Sequence, residues 1–514
     1  MNNTFKTKNI CFRSIVDSAK KSKPFSEVPG PRNIPLLGDF LGFTHPEFGR
    51  NPKYAIQTRE YMHKKYGSLV RMEFPGNIRP PMLFIFDPDM SEKCYRTSGP
   101  QPIRSGAGFF EAAQAEFHST KGLLVSQKSE WWNLRSRIQQ PLLRPKNLLR
   151  YIEPLEDIAM EFIDKKVRKY NGNDVDDNFV EDMYKWALED VGLIAFNKKL
   201  GCLDENLSKN SEQVILINAV NDLLHLMGIL IYGSTLSRYS PIKGPNTRRF
   251  FDTYHSFNTI CTKYIHEAFK EIREEENRDK PTLLELFNDK GCDESMVLAM
   301  ATDMIFAGID STANTLGFCL FFLSKDTRVQ EKLYDEVITS LGRKSGCMNT
   351  TTLDNMPYLK ACLKETLRMR GPVAEVPRVL EEDIELGGYL IPKGIVLLQG
   401  HHIMSNSNIY VKNPDKFIPE RWIKSSPEFE EYHPFISLPF GHGPRMCVGR
   451  RFAELEFYVL LLKLIQNFKV EYHHDNIGFI SAFISKPDKP LKFCFVEREN
   501  NQTMKQLDST NDLV

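Results

Sequence analysis

The stretch of sequence that decides the fold lies near the carboxyl end and reads Phe440-Gly441-His442-Gly443-Pro444-Arg445-Met446-Cys447-Val448-Gly449. It places one cysteine in a glycine-rich loop that leads directly into an apolar segment of helical period. Glycine lets a backbone approach a large flat ligand, and the first N–H groups of a helix have no partner within the helix. Such N–H groups, directed at the sulfur of Cys447, favour the anionic thiolate. The pattern therefore predicts a loop that presents a thiolate to a bound group.

Two further residues of this loop indicate which group it binds. Phe440 can screen the sulfur from water, and Arg445 offers a fixed cation for a carboxylate. A heme matches both features, because its iron accepts a thiolate and its propionates are carboxylates. We therefore predict a heme site with Cys447 as the axial ligand of the iron. The alternative is an inert buried cysteine, which is common in protein cores.

The spacing F-x-x-G-x-R-x-C-x-G, formed by Phe440, Gly443, Arg445, Cys447 and Gly449, resembles the heme-binding signature of cytochromes P450. The resemblance implies a mainly α fold with a small β region, built as a single large domain around one thiolate-ligated heme b. It also implies a monooxygenase that inserts one oxygen atom from O2 into a lipophilic substrate, sterol-like, ecdysteroid-like or xenobiotic. Electrons would come from an adrenodoxin-like ferredoxin and its reductase, as in the mitochondrial type of animal P450.

Composition is compatible with this class and argues against others. The 514 residues are 41% hydrophobic, and 67 basic residues against 66 acidic ones give a formal net charge of +1, so no nucleic-acid partner is expected. The 10 cysteines are scattered and form no C-x-x-C pair, which excludes a disulfide framework and the usual zinc or iron–sulfur spacings.

The amino-terminal segment predicts a location. Residues 1–23 carry six basic residues and one acid, with serines, threonines and scattered apolar residues, a composition typical of an organelle transit peptide. A disordered basic tail is the alternative. We predict a leader over 1–28, the P450 domain over 29–497 and a flexible tail over 498–514. We expect no apolar run to be long enough to span a membrane. We therefore predict a mitochondrial protein, peripheral to the matrix side of the inner membrane.

Helical period predicts long helices at roughly 145–170, 180–197, 211–230, 250–276, 294–324, 326–341, 357–370 and 450–467. Short apolar runs rich in β-formers predict strands at about 82–87, 384–391 and 395–399. The helix at 294–324 is apolar on nearly all sides, so we expect it to run buried through the core.

Inside that helix lies Ala307-Gly308-Ile309-Asp310-Ser311-Thr312. Glycine and hydroxyl residues in mid-helix cost stability and loosen the backbone hydrogen bonds. The motif resembles the oxygen-activation element of P450s, which implies that Gly308 lets the helix pass over the heme face. It also implies that Asp310 and Ser311 deliver protons, a task that Thr312 can share. The family usually has threonine where this chain has Ser311, and serine lacks the methyl group that fixes the rotamer.

The E-x-x-R pair of Glu365 and Arg368 spans about one helical turn. In the family such a pair locks to an arginine before the heme loop, here Arg421, in a structural triad. At about 100° per residue, Lys360 and Lys364 can face outward on the same helix. The resemblance implies that these lysines dock the ferredoxin, together with Arg450 and Arg451, although exposed lysines are usually only a solvated face.

The resemblance also assigns the remaining heme and substrate contacts. Trp131 and Arg135, in a W-x-x-x-R pattern, together with Arg378 and Arg445, would hold the propionates. The expected substrate pocket is lined by Phe109, Phe110, Ile305, Ala307, Val373 and Phe483. Apolar residues of this kind are more often plain core.

Other functions remain open at this point. A P450-fold isomerase or dehydratase would keep the cysteine loop but lose the acid and the hydroxyl at Asp310 and Ser311. A cysteine hydrolase would use Cys447 with His442, which share one loop. A heme sensor without enzymatic activity would need neither the proton relay nor the docking lysines.

Overall fold

The structure is a computed structural model that describes residues 22–32, 45–49, 51–74, 80–106, 108–232, 244–274, 281–341, 348–481 and 483–498. Its α-helices are α1 (Ala55–Tyr66), α2 (Pro88–Thr97), α3 (Gly108–Glu116), α4 (Lys128–Leu143), α5 (Pro145–Phe162), α6 (Phe179–Phe196), α7 (Glu212–Tyr232), α8 (Pro245–Glu274), α9 (Leu283–Asn288), α10 (Glu294–Lys325), α11 (Thr327–Leu341), α12 (Thr350–Asp354), α13 (Pro357–Arg370), α14 (His401–Ser405) and α15 (Arg450–Asn467). Its strands are β1 (Lys23–Pro24), β2 (Leu69–Met72), β3 (Met82–Ile85), β4 (Val376–Val379), β5 (Ile384–Leu386), β6 (Tyr389–Ile391), β7 (Val396–Gln399), β8 (Phe468–Glu471), β9 (Phe479–Ser481), β10 (Ser485–Pro487) and β11 (Cys494–Glu497). The predicted mainly α fold with a small β region is confirmed.

Helix α10 organises the helical core. Its 32 residues span about 48 Å at 1.5 Å per residue. The Asp293 side chain caps its start by accepting a hydrogen bond of 2.9 Å from the N–H of Met296. The helix packs against α6, α8, α13 and α15. The Asp310 segment of α10 therefore lies close to the helix that begins after the cysteine loop, defined here as residues 440–449.

The largest sheet has the order β2-β3-β7-β4, in which β3 and β7 are parallel and the outer pairs are antiparallel. Its apolar face packs against α1. We call this packing unit the sheet cluster, which contains Ile56, Met62, Val70, Met72, Phe84, Phe86, Leu398 and Ile403. It is separate from the larger apolar cluster of the helical core.

The predicted long helices are present with ends shifted by a few residues, and two predictions differ in kind. The helix expected at 145–170 ends as α5 and continues in a π-helical turn at Ile163–Val167. The strand expected at 384–391 is two strands, β5 and β6. Gly387 and Gly388 between them adopt φ of 57° and 82°, so the chain reverses in a two-residue hairpin turn.

Residues on the leader side of the predicted boundary at residue 28 take part in the pairing and packing of the fold. Strand β1 pairs in parallel with β6, with Lys23 opposite Tyr389. Val28 is buried against Leu69 and Leu83. Backbone pairing and apolar burial thus extend the fold to residues before 29, and the transit-peptide prediction over 1–21 lies outside the described residues.

The first residue of the predicted tail also contacts the fold. Arg498 donates two hydrogen bonds of 2.9 Å to the carboxylate of Glu331 on α11. Its backbone N–H also donates to the carbonyl of Asn467 at 2.8 Å. Residue 498 therefore belongs to the fold, and 499–514 lie outside the described residues.

Two helices contain segments long and apolar enough to cross a membrane by length and composition, whereas the sequence analysis expected none. They are Glu212–Ile231 in α7 and the whole of α10. The most apolar part of α10 is 83% buried inside the fold and that of α7 is 56% buried. Burial in the core accounts for the apolar sequence of α10.

Candidate active site

An internal cavity of about 480 Å³ lies between α10 and the cysteine loop. Helix α10 contributes Ala307 and Ser311 to its wall, and α4 contributes Trp131 and Arg135. The cysteine loop contributes Cys447. Most of the other lining side chains are apolar, so the cavity suits a lipophilic guest.

Cys447 is distinguished from the other cysteines by its position. Among the eight cysteines of the described residues, seven are buried and Cys447 is exposed, with its thiol on the cavity wall. Its backbone N–H donates to the carbonyl of Phe440 at 2.8 Å. Gly441 and Gly443 adopt φ of 70° and 75°, conformations that other residues rarely take. These two glycines close the loop tightly enough to present the sulfur to the cavity.

The electrostatic environment of Cys447 has opposing parts. The surrounding protein raises the pKa of the thiol by desolvating the thiolate. The backbone N–H of Gly449 lowers this pKa, and so do the charges of Arg135 and Arg104. The N–H of Arg450, at the start of α15, acts in the same direction. The groups around the sulfur thus oppose its desolvation, as a site for a metal-bound thiolate requires.

Four arginines cluster around this part of the cavity, namely Arg104, Arg135, Arg378 and Arg445. Within the described residues, none of them forms an ion pair with a carboxylate, and each has one buried nitrogen without a hydrogen-bond partner. Burial and neighbouring arginines lower the pKa of Arg135 to about 10, that of Arg378 to about 10 and that of Arg445 to about 9. Among the described residues, therefore, no carboxylate balances the positive charge of the cluster.

A heme fits this arrangement, because its two propionates would bring negative charge to the unpartnered guanidinium nitrogens. Arg445 is already held in place, since it donates to the carbonyls of Pro102 at 2.8 Å and Ser126 at 2.6 Å. Its guanidinium lies 5.0 Å from the centroid of the Trp131 ring. Cys447 could then hold the iron while the arginines hold the carboxylates.

Two arginines differ from the sequence expectation. Arg104 was not predicted, although its being the one charged residue between Gly99 and Phe110 was a signal for a special role. Arg378 is not among the cavity-lining residues of the described structure. It is buried with its guanidinium 5.5 Å from the centroid of the Tyr95 ring.

The hydroxyl residues of the α10 motif face the cavity. Ser311 Oγ donates to the carbonyl of Ala307 at 2.6 Å, the helix-loosening bond expected of a mid-helix serine. Thr312 Oγ1 lies 3.5 Å from Oε2 of Glu456 on α15. Burial raises the pKa of the Glu456 carboxyl to about 8. Each hydroxyl therefore has a defined partner, and the partner of Thr312 was not predicted.

The acid and the glycine of the motif also have partners that the sequence did not show. Asp310 is 1% exposed, and its Oδ2 lies 2.6 Å from Nζ of Lys486 on β10. Burial raises the pKa of Asp310, while Lys486 lowers it. A Cβ atom at Gly308 would lie 2.9 Å from Val191, so the glycine permits close packing of α10 against α6.

The structure brings the three residues of the predicted triad together. Arg368 donates two hydrogen bonds of 2.9 Å to Glu365, and Arg421 donates one of 3.0 Å. All three side chains are fully buried. Trp422, which was not predicted, adds a hydrogen bond of 2.9 Å from its indole N–H to Glu365.

The predicted docking residues Lys360, Lys364, Arg450 and Arg451 all reach the surface to some degree. Lys364 is exposed, whereas Lys360 is half-buried and lies 3.5 Å from the carboxylate of Asp354. The two arginines share one acid, Glu454, at 2.8 and 3.8 Å. Lys364 is therefore the predicted docking cation with the least internal compensation in the described structure.

The predicted substrate residues divide into two groups. Ala307, Val373 and Phe483 line the cavity. Phe109, Phe110 and Ile305 are buried in the helical core and are not among the lining residues of the described structure. The Phe110 ring packs at 5.1 Å from that of Phe250 and at 4.8 Å from that of Phe306. Phe306 itself lines the cavity, so Phe110 supports the wall from behind.

A thiol on the wall of an apolar cavity, beside buried arginines that have no carboxylate partner in the described structure, is typical of the class of heme-thiolate proteins. Comparison with protein families agrees, because the model of the family Cytochrome P450 matches residues 28–495. The chain belongs to the cytochrome P450 family, and it is a monooxygenase and an oxidoreductase with heme as its cofactor.

Individual relatives define the subgroup. The chain is 34% identical over 488 residues to "Probable cytochrome P450 301a1, mitochondrial" of Drosophila melanogaster, covering 91% of this chain and 86% of that protein. It is 31% identical over 510 residues to cytochrome P450 CYP12A2 of Musca domestica, covering 94% and 92%. It is 30% identical over 502 residues to "Probable cytochrome P450 12a5, mitochondrial" of Drosophila melanogaster, covering 93% and 92%. The predicted mitochondrial type and mitochondrial location are confirmed, and the position on the matrix side of the inner membrane stays a prediction.

The alternative of a cysteine hydrolase finds no support in this geometry. The ring of His442 packs against Phe435 at 4.8 Å and Tyr95 at 5.8 Å. Within the described structure no hydrogen bond joins His442 to Cys447. A nucleophilic cysteine needs a base within hydrogen-bond reach.

Proposed function

We propose that this P450 inserts one oxygen atom from O2 into a lipophilic substrate, with electrons supplied by an adrenodoxin-like ferredoxin. The observation that carries the proposal is the meeting of Cys447, Asp310 and Ser311 on one mainly apolar cavity beside the arginine cluster. A pocket of this kind favours apolar substrates. The acid and the hydroxyl distinguish it from an isomerase or dehydratase site, which would need neither.

The chain's own residues would hold the cofactor. The bound heme supplies oxygen activation and C–H oxidation. Cys447 would bind its iron, with the N–H groups at the start of α15 keeping the sulfur anionic and Phe440 excluding water. The arginine cluster and Trp131 would hold its propionates.

Protons would reach the cavity through Asp310. Lys486 contacts this buried carboxyl, and its own side chain is 25% exposed, so the ion pair links the interior to the surface. The hydroxyl of Ser311 stands next along α10, held by the carbonyl of Ala307. Thr312 and Glu456 form a second hydroxyl–carboxyl pair on the wall.

The absorption spectrum of the reduced protein under carbon monoxide tests the thiolate. We expect a red-shifted Soret band, because a thiolate donates electron density to the iron. Cys447→Ser should abolish the shift, whereas Cys494→Ser, at a buried cysteine in β11, should retain it. An unshifted band in the wild-type protein would contradict the proposal.

Turnover with a mitochondrial ferredoxin, compared with a diflavin reductase, tests the electron donor. Lys364→Glu should weaken the ferredoxin-dependent rate several-fold, because it reverses an exposed charge at the proposed docking surface, and added salt should reduce the difference. Lys489→Glu, on the segment after β10, is the matched control. Equal losses for both variants would remove Lys364 from the docking surface.

A further inference from the structure

A buried ion pair on the cavity wall lies outside the residues assigned above to the heme and to oxygen activation. Arg59 on α1 donates from Nε to Oε1 of Glu375 at 2.7 Å and from Nη2 to Oε2 at 3.3 Å. The two side chains are 3% and 9% exposed. Both residues line the cavity, although they are 316 positions apart in the sequence.

The ion pair and the cysteine loop pack against different parts of the fold. The guanidinium of Arg59 lies 4.9 Å from the centroid of the Phe84 ring, which is part of the sheet cluster. Phe440 and Val448, the neighbours of the thiol in the cysteine loop, pack against the helical core instead. The cavity is thus lined by both the helical core and the sheet cluster, and the ion pair lies on the sheet-cluster side.

A purely structural role does not require these charges. Buried ion pairs often contribute less stability than apolar side chains of similar volume, because both ions lose their hydration. Each oxygen of Glu375 accepts one hydrogen bond from Arg59, and a carboxylate has about four lone-pair sites. Acceptor capacity therefore remains on a group that lines the cavity.

We propose that Glu375, oriented by Arg59, binds a hydroxyl or N–H donor of the substrate at the end remote from the oxidised carbon. The inference rests on the proposed function and narrows it to elongated lipophilic molecules with a polar donor at the far end. Arg59 is the positioning residue, because its two parallel hydrogen bonds fix the plane of the carboxylate. A substrate without the donor would exclude water from Glu375 without replacing its hydrogen bond, and would therefore bind more weakly.

Two matched series of heme ligands test the site without knowledge of the natural substrate. In the first, 1-alkylimidazoles of increasing chain length bind the heme iron through the imidazole, and the chain extends into the cavity. The second carries a terminal hydroxyl on each chain. Spectral titration of the holoenzyme gives a dissociation constant for every member.

We expect the hydroxyl to weaken binding at most chain lengths, because it is buried among apolar groups. At the length that reaches Glu375 it should strengthen binding by about tenfold, as a hydrogen bond to a charged acceptor does. The double variant Arg59→Met with Glu375→Met should lose this gain while still binding the plain alkylimidazoles. Glu73→Gln, at another acid that lines the cavity, is the matched control and should keep it.

The outcomes separate the two proposals. A hydroxyl effect that is uniform over all lengths, or unchanged in the double variant, would overturn the role of Glu375. If only Glu73→Gln lost the tighter binding of the hydroxylated ligand, Glu73 and not Glu375 would be the acid that binds the hydroxyl. The absence of any spectral shift with every imidazole would instead contradict the accessible heme of the proposed function.

Discussion

Two groups of buried arginines in this protein differ in the source of their negative charge. Arg368 and Arg421 surround Glu365, which the chain itself provides. The arginine cluster at the cavity, represented by Arg135 and Arg445, has unpartnered nitrogens and no carboxylate among the described residues. A buried charge is tolerated only when it is compensated. The first group is therefore complete in the polypeptide, and the second is complete only with a ligand.

Arg368 and Arg421 also help to position the cysteine loop beside the arginine cluster of the cavity. Besides Glu365, Arg368 binds the carbonyls of Ser405 and Pro414, each at 2.9 Å. Arg421 binds the carbonyl of Lys412 at 3.0 Å. These bonds tie α13 to the segment that precedes the cysteine loop. The framework arginines thus fix the path of the chain toward Cys447.

Removal of the shared carboxylate should give the largest effect. Glu365→Ala leaves Arg368 buried without a carboxylate and leaves Arg421 with Glu430 alone, at 3.2 Å, which costs about 3–5 kcal/mol. That is a large part of the stability of a typical domain, so we expect little folded, CO-binding protein. The exposed Glu385→Ala is the control, and its unfolding midpoint and yield should match the wild type. A folded Glu365→Ala protein of normal stability would contradict the conclusion that Arg368 and Arg421 depend on a carboxylate from the chain.

Equivalent substitutions in the two groups should have opposite effects on the heme-free protein. Arg368→Met should destabilise it by about 3–5 kcal/mol, because Glu365 loses its principal partner. Arg135→Met should leave it equally stable or more stable, by up to about 3 kcal/mol. The reason is that the pKa of Arg135 is lowered to about 10, and each pKa unit corresponds to about 1.4 kcal/mol. Denaturant unfolding of both variants measures the difference.

Heme retention completes that test. Arg135→Met should release heme faster than the wild type, since a propionate loses a cation. If Arg135→Met destabilised the heme-free protein as much as Arg368→Met, the cavity arginines would be part of the framework. If heme release were unchanged, Arg135 would have no role toward the propionates.

The same contrast shows what a sequence can reveal. Glu365 and Arg368 lie three positions apart on one helix, so helical geometry alone predicts that they meet. The cysteine loop is equally local, and its glycines and following helix can be read directly. The apolar length of α10 predicted its burial.

Partners that lie far apart in the chain left no such signal. Glu375 is brought to Arg59 by the packing of α1 on the sheet, and Lys486 is brought to Asp310 by the β9–β10 hairpin. The direction of an apolar side chain is equally a matter of tertiary packing, which is why Phe110 was assigned to the pocket in place of Phe306. Local pattern predicted the cofactor site better than the substrate site.

The ion pair of Asp310 and Lys486 is intermediate between the two arginine groups, because its acid is buried and its cation is partly exposed. Burial raises the pKa of Asp310 above its unfolded value of 3.8. The folded state therefore binds more protons above that pH, and the free energy of unfolding falls as pH rises toward the folded pKa. Lys486→Met removes the charge that lowers the pKa of Asp310. The free energy of unfolding should therefore continue to fall up to a higher pH in this variant than in the wild type.

We expect Lys486→Met to match the wild type near pH 4 and to be less stable by about 1–2 kcal/mol near pH 7.5, the value of a hydrogen bond to a charged group. Denaturant unfolding of the holoenzyme over this pH range measures the difference. Lys489→Met, whose exposed pairing with Asp475 is 3.8 Å long, should change stability by less than about 0.5 kcal/mol at every pH. A deficit of Lys486→Met that is equal at both ends of the range would mean that contacts of the lysine other than the one with Asp310 provide the stability, such as that of its Nζ with the Tyr184 ring, 5.6 Å from the centroid. The Asp310 carboxyl would then tolerate burial without its cation, unlike Glu365 and its arginines.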